Sequence, residues 1–342
     1  MTTAIVPFTA ALLPAVVRFA ERTWQWRYDA DMYRWRFLQC PASMLVAMRG
    51  NECLAMLSAF SRSYLVGGRT ATYAETFDWY TVPEYRSSGL GVLLLKEMMD
   101  RPDPILVVGG SADTTTILPR MGWRDLDAAV LYTLPLSGAS MSDRVRWRTL
   151  RPVVNAVFDL SARLWFRPRQ HGPPPGTETE SADGVDERVL SLYRRDSQYG
   201  LVPIPDLARL QWLTTGQRGT TRFLVSYFIT DGVLSGWSLA KTSKTRSGCE
   251  ASLLECYAPH PTVETYVSMV AETVLRVMAF QPQRVQARAT CAMLQAALRR
   301  NRFLRRGSVP VRFWSREQTS PPPPSHLAYN VGDADMLPYP EA

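Results

Sequence analysis

Residues 76–100 read TFDWYTVPEYRSSGLGVLLLKEMMD, and no other stretch restricts the fold of this chain as much. Aromatic and β-branched residues run to Val82 in the manner of a strand. Pro83 has no N–H for a ladder and closes it. Arg86, Ser87, Ser88, Gly89, Leu90 and Gly91 come next, and a helical period follows at once. Val92, Leu95 and Met99 share one stripe, with Leu94 and Met98 beside it. Strand, glycine loop and helix in this order turn free backbone N–H groups toward an anion at the positive end of the helix dipole. Gly89 and Gly91 permit close approach, and Arg86 adds a fixed charge with a planar donor fork. The pattern suits a pyrophosphate.

Two phosphate motifs do not apply. The P-loop ends in Gly-Lys-Ser/Thr, which is absent, and the dinucleotide fingerprint needs a third glycine. What stands here is R-x-x-G-x-G after a strand ending in Val82-Pro83. It resembles the acetyl-coenzyme A loop of the GNAT N-acetyltransferase superfamily, whose usual form is [Q/R]-x-x-G-x-[G/A]. The resemblance implies acetyl-coenzyme A or another acyl-coenzyme A as co-substrate, bound by Arg86, Ser87, Ser88, Gly89, Leu90 and Gly91. It places backbone amides near Thr81 and Val82 on the pantetheine arm and the acyl carbonyl. A carboxylate, or a water held by one, must take the proton of the incoming ammonium. Glu75 lies on the strand that feeds the loop, where some members carry their base, and a solvated strand residue is the plainer reading. Asp78 and Tyr80, on the opposite face by strand alternation, are the other catalytic candidates. Many members also carry a tyrosine five places before the aromatic of a Gly-Phe pair; counting back from Trp123 gives Leu118, which cannot donate a proton.

Around this centre, residues 9–23 predict a first helix and residues 32–37 a second, packing Trp35 and Leu38 inward. A hairpin follows around Gly50-Asn51, then a strand over 70–82. Residues 105–108 make a short apolar strand, Gly109-Gly110-Ser111 leads into a helix, and a last strand lies near 129–134. This order resembles one complete GNAT domain over residues 1–136. Residues 143–166 predict an amphipathic connector helix with arginines among tryptophans, and a second reading makes it an interfacial helix for anionic lipid. The segment to 184, with Pro173-Pro174-Pro175-Gly176, reads as linker on composition. Residues 185–316 repeat the outline, with a hairpin around Asp231-Gly232, but Ala258-Pro259-His260-Pro261-Thr262 replaces R-x-x-G-x-G. The second half therefore looks like a degenerate GNAT domain that cannot hold a pyrophosphate in the same manner. The tail, 317–342, is proline-rich, and residues 326–331 alternate as one further strand. The expected fold class is α/β: tandem GNAT domains, each a mixed, mostly antiparallel twisted sheet flanked by helices.

Composition narrows the partners. At 342 residues and 46% hydrophobic the chain has the size of two packed domains, and a net charge of +8 suits anionic ligands. No zinc-ligand spacing or recognised nucleic-acid module accompanies the charge, so no metal or nucleic acid is expected. Five scattered cysteines read as buried reduced thiols, and three distant histidines argue against a histidine-centred site. Pro7 and Pro14 interrupt the apolar N-terminal residues, no basic run precedes them, and no apolar run of about 20 residues exists. A cytoplasmic protein, with a peripheral membrane position as the variant, is the expectation. The sequence points to an N-acyltransferase acting on a small-molecule amine, with an amino sugar of polysaccharide or cell-envelope assembly as leading acceptor. A FemAB-like aminoacyl transferase and a non-catalytic acyl-coenzyme A sensor or scaffold are the rivals.

Overall fold

A computed structural model describes residues 2–24, 30–34, 37–38, 42–137, 153, 155–157, 160, 176–194, 198–208, 210–211, 221–245, 248–317, 321 and 326. Thirteen strands form one mixed, mostly antiparallel sheet. They are β1 (Ala4–Pro7), β2 (Ala42–Arg49), β3 (Glu52–Val66), β4 (Arg69–Thr81), β5 (Ile105–Val108), β6 (Arg124–Pro135), β7 (Thr177–Ala182), β8 (Leu201–Pro203), β9 (Arg222–Thr230), β10 (Val233–Thr245), β11 (Gly248–Tyr257), β12 (Arg284–Ala289) and β13 (Leu304–Trp314). The helices are α1 (Leu13–Trp24), α2 (Ala30–Arg34), α3 (Leu90–Met99), α4 (Ala112–Arg120), α5 (Leu190–Tyr193), α6 (Val263–Met278) and α7 (Ala292–Arg300).

Each half repeats one order: hairpin, strand, helix, parallel strand, helix, strand. In the first half this is β2–β3, β4, α3, β5, α4 and β6, and in the second β9–β10, β11, α6, β12, α7 and β13. The repeat extends to a backbone detail. Gly122 (φ 82°) and Arg302 (φ 68°) both end a helix in the left-handed region. The next residue, Trp123 or Phe303, donates its N–H to the carbonyl of Leu118 or Leu298.

The final strands are exchanged between the halves. The sheet order runs β4-β5-β13-β6-β12-β11. Val311 on β13 sits beside Val108 on β5, and Leu134 on β6 beside Val285 on β12. The expectation of one complete domain in residues 1–136 is corrected here: β6 closes the second half, and β13 closes the first. A cut at 185 also removes β7, the edge strand that pairs with β9, so the expected linker ends before Thr177. Alternation within 177–182 was hidden because both faces of an edge strand can carry polar residues.

Three packed clusters hold the sheet. One lies in each half, and a third at their junction joins Tyr64, Tyr73, Leu106, Ala129, Leu201, Val311 and Phe313. On α3 the buried stripe is Leu90, Leu94 and Met98 with Leu95, not the expected Val92–Leu95–Met99 line, and Leu93 is exposed. In the second helical segment Tyr33 and Phe37 are the buried anchors while Leu38 faces solvent. Trp35 lies outside the described residues, as does most of the predicted connector helix at 143–166. Of that helix, Val153, Val157 and Leu160 are exposed. Among the described residues no helix is long and apolar enough to cross a membrane.

Candidate functional site

The loop after β4 is built as its residue types require. Pro83–Ser88 coil into a 3₁₀ turn with proline at its first position, and Gly89 (φ 76°) takes the left-handed conformation that lets α3 start in a new direction. The first bond of α3 runs from Leu93 N–H to the Gly89 carbonyl at 3.0 Å. The N–H groups of Leu90, Gly91 and Val92 thus precede any acceptor within the helix, and no side chain caps them. Gly91 packs tightly: a Cβ there would lie 2.9 Å from Thr81 Oγ1 and 3.2 Å from Trp79 Nε1.

Charge surrounds this cradle. Arg86 is exposed; its Nη2 donates to the Tyr80 hydroxyl at 2.6 Å and its Nε to the Thr81 carbonyl at 3.4 Å. The guanidinium lies 5.1 Å from the centre of the Tyr80 ring. The loop is tied back to α1 through Arg22, which bridges Glu84 at 2.9 Å and Glu52 at 3.1 Å. Ser88 turns its hydroxyl onto the Tyr85 carbonyl at 2.6 Å, while Ser87 stays exposed.

Beside the cradle the sheet opens. β4 and β5 are parallel and pair only at Ala74 and Glu75, with Ile105 and Leu106. β4 continues to Thr81 without β5, leaving a wedge along its free edge. A β-bulge interrupts the β3–β4 ladder along the same stretch of β4. Register passes from Phe77 opposite Ser58 to Tyr80 opposite Met56, so Asp78 and Trp79 share the single partner position of Leu57. Asp78 absorbs the extra residue at φ 49°, a conformation that aspartate tolerates better than most.

The bulge overturns the expected alternation. Phe77 stacks on Phe37, and Tyr80 packs edge-on against Phe19 of α1, whereas Trp79 turns to the α3 side and bonds Gly91. Tyr80 therefore shares the face of Glu75 and Phe77 instead of opposing it. The expected pair of backbone donors is also revised. Val82 N–H already donates to the Leu54 carbonyl at 3.0 Å, and its side chain is buried. Strand alternation leaves Thr81 as the residue whose backbone faces the wedge.

Glu75 is not the solvated strand residue of the plainer reading: it is 2% exposed. The Tyr64 hydroxyl donates to Glu75 Oε1, and Arg62 Nη1 lies 3.8 Å from the same oxygen. The second half covers this pair. Tyr64 pairs with Pro203 of β8, and Arg62 Nε donates to the Ile204 carbonyl at 3.3 Å. Tyr64 and Arg62 were missed in the sequence. Their parity with Phe60 along β3 was a usable signal, since Phe60 stands opposite Glu75.

Other positions have structural roles. Ser111 is the N-cap of α4, its hydroxyl accepting from Thr114 N–H at 3.3 Å, with Asp113 in the first turn. Leu118, the place of the absent tyrosine, is buried in the core of the first half. In the second half Thr262 and Thr265 form a capping box at the start of α6, so side chains occupy the position that an anion would take.

Comparison with known proteins now bears on this geometry. Residues 4–124 match the family model of the acetyltransferase (GNAT) domain. No curated protein matches the chain. Among solved structures, a GCN5-related N-acetyltransferase from Anabaena variabilis is similar at 13% identity and a TM-score of 0.59, over 91% of this chain and 72% of that one. N-myristoyltransferase of Saccharomyces cerevisiae with bound myristoyl-CoA is similar at 12% identity and 0.59, over 91% and 82%. A tandem GNAT protein from the clavulanic acid biosynthesis pathway is similar at 14% identity and 0.56, over 92% and 98%.

Proposed function

We propose that the chain, whose residues 4–124 match the acetyltransferase (GNAT) domain model and whose fold is similar to that of a tandem GNAT protein, is an acyl-coenzyme A-dependent N-acyltransferase. The observation that carries the reading is the uncapped start of α3 beside the open edge of a bulged strand, a pairing that the second half lacks. In this reading the pyrophosphate lies over the N–H groups of Leu90, Gly91 and Val92, with Arg86 turning onto it. The pantetheine arm follows β4 past Thr81, and the acyl carbonyl lies near the bulge at Asp78, where the backbone is released from the ladder. Glu75 receives the ammonium proton, with the Tyr64 hydroxyl as its orienting partner. The free amine then attacks the thioester, and the thiolate leaves without a tyrosine at position 118.

The acceptor enters from the junction of the halves, where Glu75, Tyr64 and Arg62 meet residues 201–204. We assign a small polar amine such as an amino sugar to it, in keeping with the aromatic and arginine content. A second reading has an observation in its favour: Arg62 already offsets the charge of Glu75, which suits a non-catalytic acyl-coenzyme A sensor. Exposed Val153, Val157 and Leu160 support peripheral membrane contact, and liposome sedimentation tests it.

The deciding experiment is calorimetric titration of acetyl-, hexanoyl- and myristoyl-coenzyme A into the full chain, followed by release of free thiol with a panel of amines. One-site binding with acceptor-dependent thiol release supports the enzyme. Binding without release under any amine favours the sensor, and no binding of any of the three donors overturns both.

A further inference from the structure

β11 and β12 are parallel and pair only from Glu250 with Arg284 to Leu253 with Ala287. Both strands then continue, to Tyr257 and Ala289, and open a second wedge. The same order of elements places it as the counterpart of the β4–β5 opening. This second wedge is filled by the chain itself. His326 is fully buried there, with ring centres 4.9 Å from Tyr199 and 5.2 Å from Tyr257. His326 Nε2 lies 3.2 Å from Glu255 Oε1 on β11, and Nδ1 lies 3.5 Å from the Tyr266 hydroxyl on α6. Cys291, just past β12, is hydrogen-bonded to His326 and to the Tyr199 hydroxyl at 3.5 Å. A polar ring with this many matched partners is the chemistry of a ligand site, and the ligand comes from the tail. Pro321 is buried as well.

We propose that His326 is an intrachain ligand of the β11–β12 wedge and that its seating there clamps β8 onto the first half. The clamp is continuous. His326 N–H donates to the Leu201 carbonyl at 2.8 Å. β8 then pairs with β3 at Val66, Leu65 and Tyr64, and Ile204 N–H donates to the Ser63 carbonyl at 2.9 Å. The two β3 residues reached this way, Tyr64 and Arg62, are those that hold Glu75. His326 is in this sense a positioning residue: it acts through β8. The groups that face it are Glu255, Cys291, Tyr199, Tyr257 and Tyr266.

The test uses the full chain and needs no activity, so it stands apart from the acyltransferase reading. Maleimide labelling of native protein is followed cysteine by cysteine by peptide mass spectrometry, with hydrogen–deuterium exchange over residues 201–204. Cys256 is fully buried in the same core and serves as the control for global opening. In His326→Ala, Cys291 is expected to label about tenfold faster or more per thiolate, the thiolate fraction being read from the pH dependence of labelling, with Cys256 unchanged and exchange at 201–204 raised over that at 222–230. Glu255→Gln, which keeps the side-chain shape, should move both readings in the same direction by less. Equal acceleration of Cys291 and Cys256 in both variants, or no change at Cys291 in either, overturns the proposal.

Discussion

The indole N–H of Trp79 donates to the Gly91 carbonyl at 3.0 Å, tying the bulged end of β4 to the first turn of α3. This bond fixes the distance between the strand edge and the uncapped helix start, and it exists because Asp78 turns Trp79 to the α3 side. Gly91→Ala puts a methyl group 2.9 Å from Thr81 Oγ1 and displaces that turn. The variant should remain folded and bind acyl-coenzyme A more weakly in calorimetry. Gly89→Ala meets no neighbour but must adopt φ 76°, so it should lose about 1–2 kcal/mol of stability in urea unfolding.

Arg86 is exposed and packs only on Tyr80 and Thr81. Arg86→Ala should leave the urea midpoint within experimental scatter while weakening acyl-coenzyme A binding roughly 10- to 100-fold, the range for a charge-assisted hydrogen bond. Raising salt should weaken binding to the native protein more than to the variant.

Glu75 is reached by Tyr64 and Arg62 in a buried setting. Glu75→Gln preserves the shape and removes the proton acceptor. The turnover number should fall by about 10²–10⁴ with acyl-coenzyme A affinity unchanged in calorimetry. Unaltered turnover in a folded Glu75→Gln protein would falsify the assignment of this carboxylate as base.

Exchange of β6 and β13 makes the halves interdependent. A fragment of residues 1–136 leaves β5 without its β13 neighbour and β6 without β12. It should be aggregated or unfolded by circular dichroism and gel filtration. Co-expression with residues 137–342 should restore a soluble complex, and a monomeric, cooperatively unfolding 1–136 fragment would contradict the exchanged arrangement.

Burial alone would lower the His326 pKa, but hydrogen bonds to Cys291 and Glu255 raise it from 6.5 to about 9. Burial alone would raise the Cys291 pKa, but the hydrogen bond to His326 and their mutual attraction bring it from 9.0 to about 7. The His326 contribution to stability is therefore complete below pH 6.5 and lost as pH rises through about 9. That of Cys291 is complete above pH 9.0 and lost as pH falls through about 7. The two slopes oppose each other over this interval. The urea midpoint of Cys291→Ser, minus that of the native protein, should fall as pH rises from 7 to 9; a constant difference would separate the two groups.

The sequence by itself determined the local architecture. The strand closed by Pro83, the turn at Gly89, the helix that follows, both hairpins and the Thr262 cap are set by backbone preferences of adjacent residues, so a short window contains their cause. The repeat was legible for the same reason, since the hairpin around Asp231-Gly232 answers the one around Gly50-Asn51. Tertiary structure alone decided which strand lies beside β5, where the β4 alternation breaks, what surrounds Glu75 and where His326 rests. Each of these depends on surfaces brought together from distant positions. A strand edge accepts any partner whose register buries its apolar face, and nothing in Ile105-Leu106-Val107-Val108 distinguishes β13 from β6. That choice is made by packing at the junction core of Tyr64, Tyr73, Val311 and Phe313, which exists only once both halves have folded together.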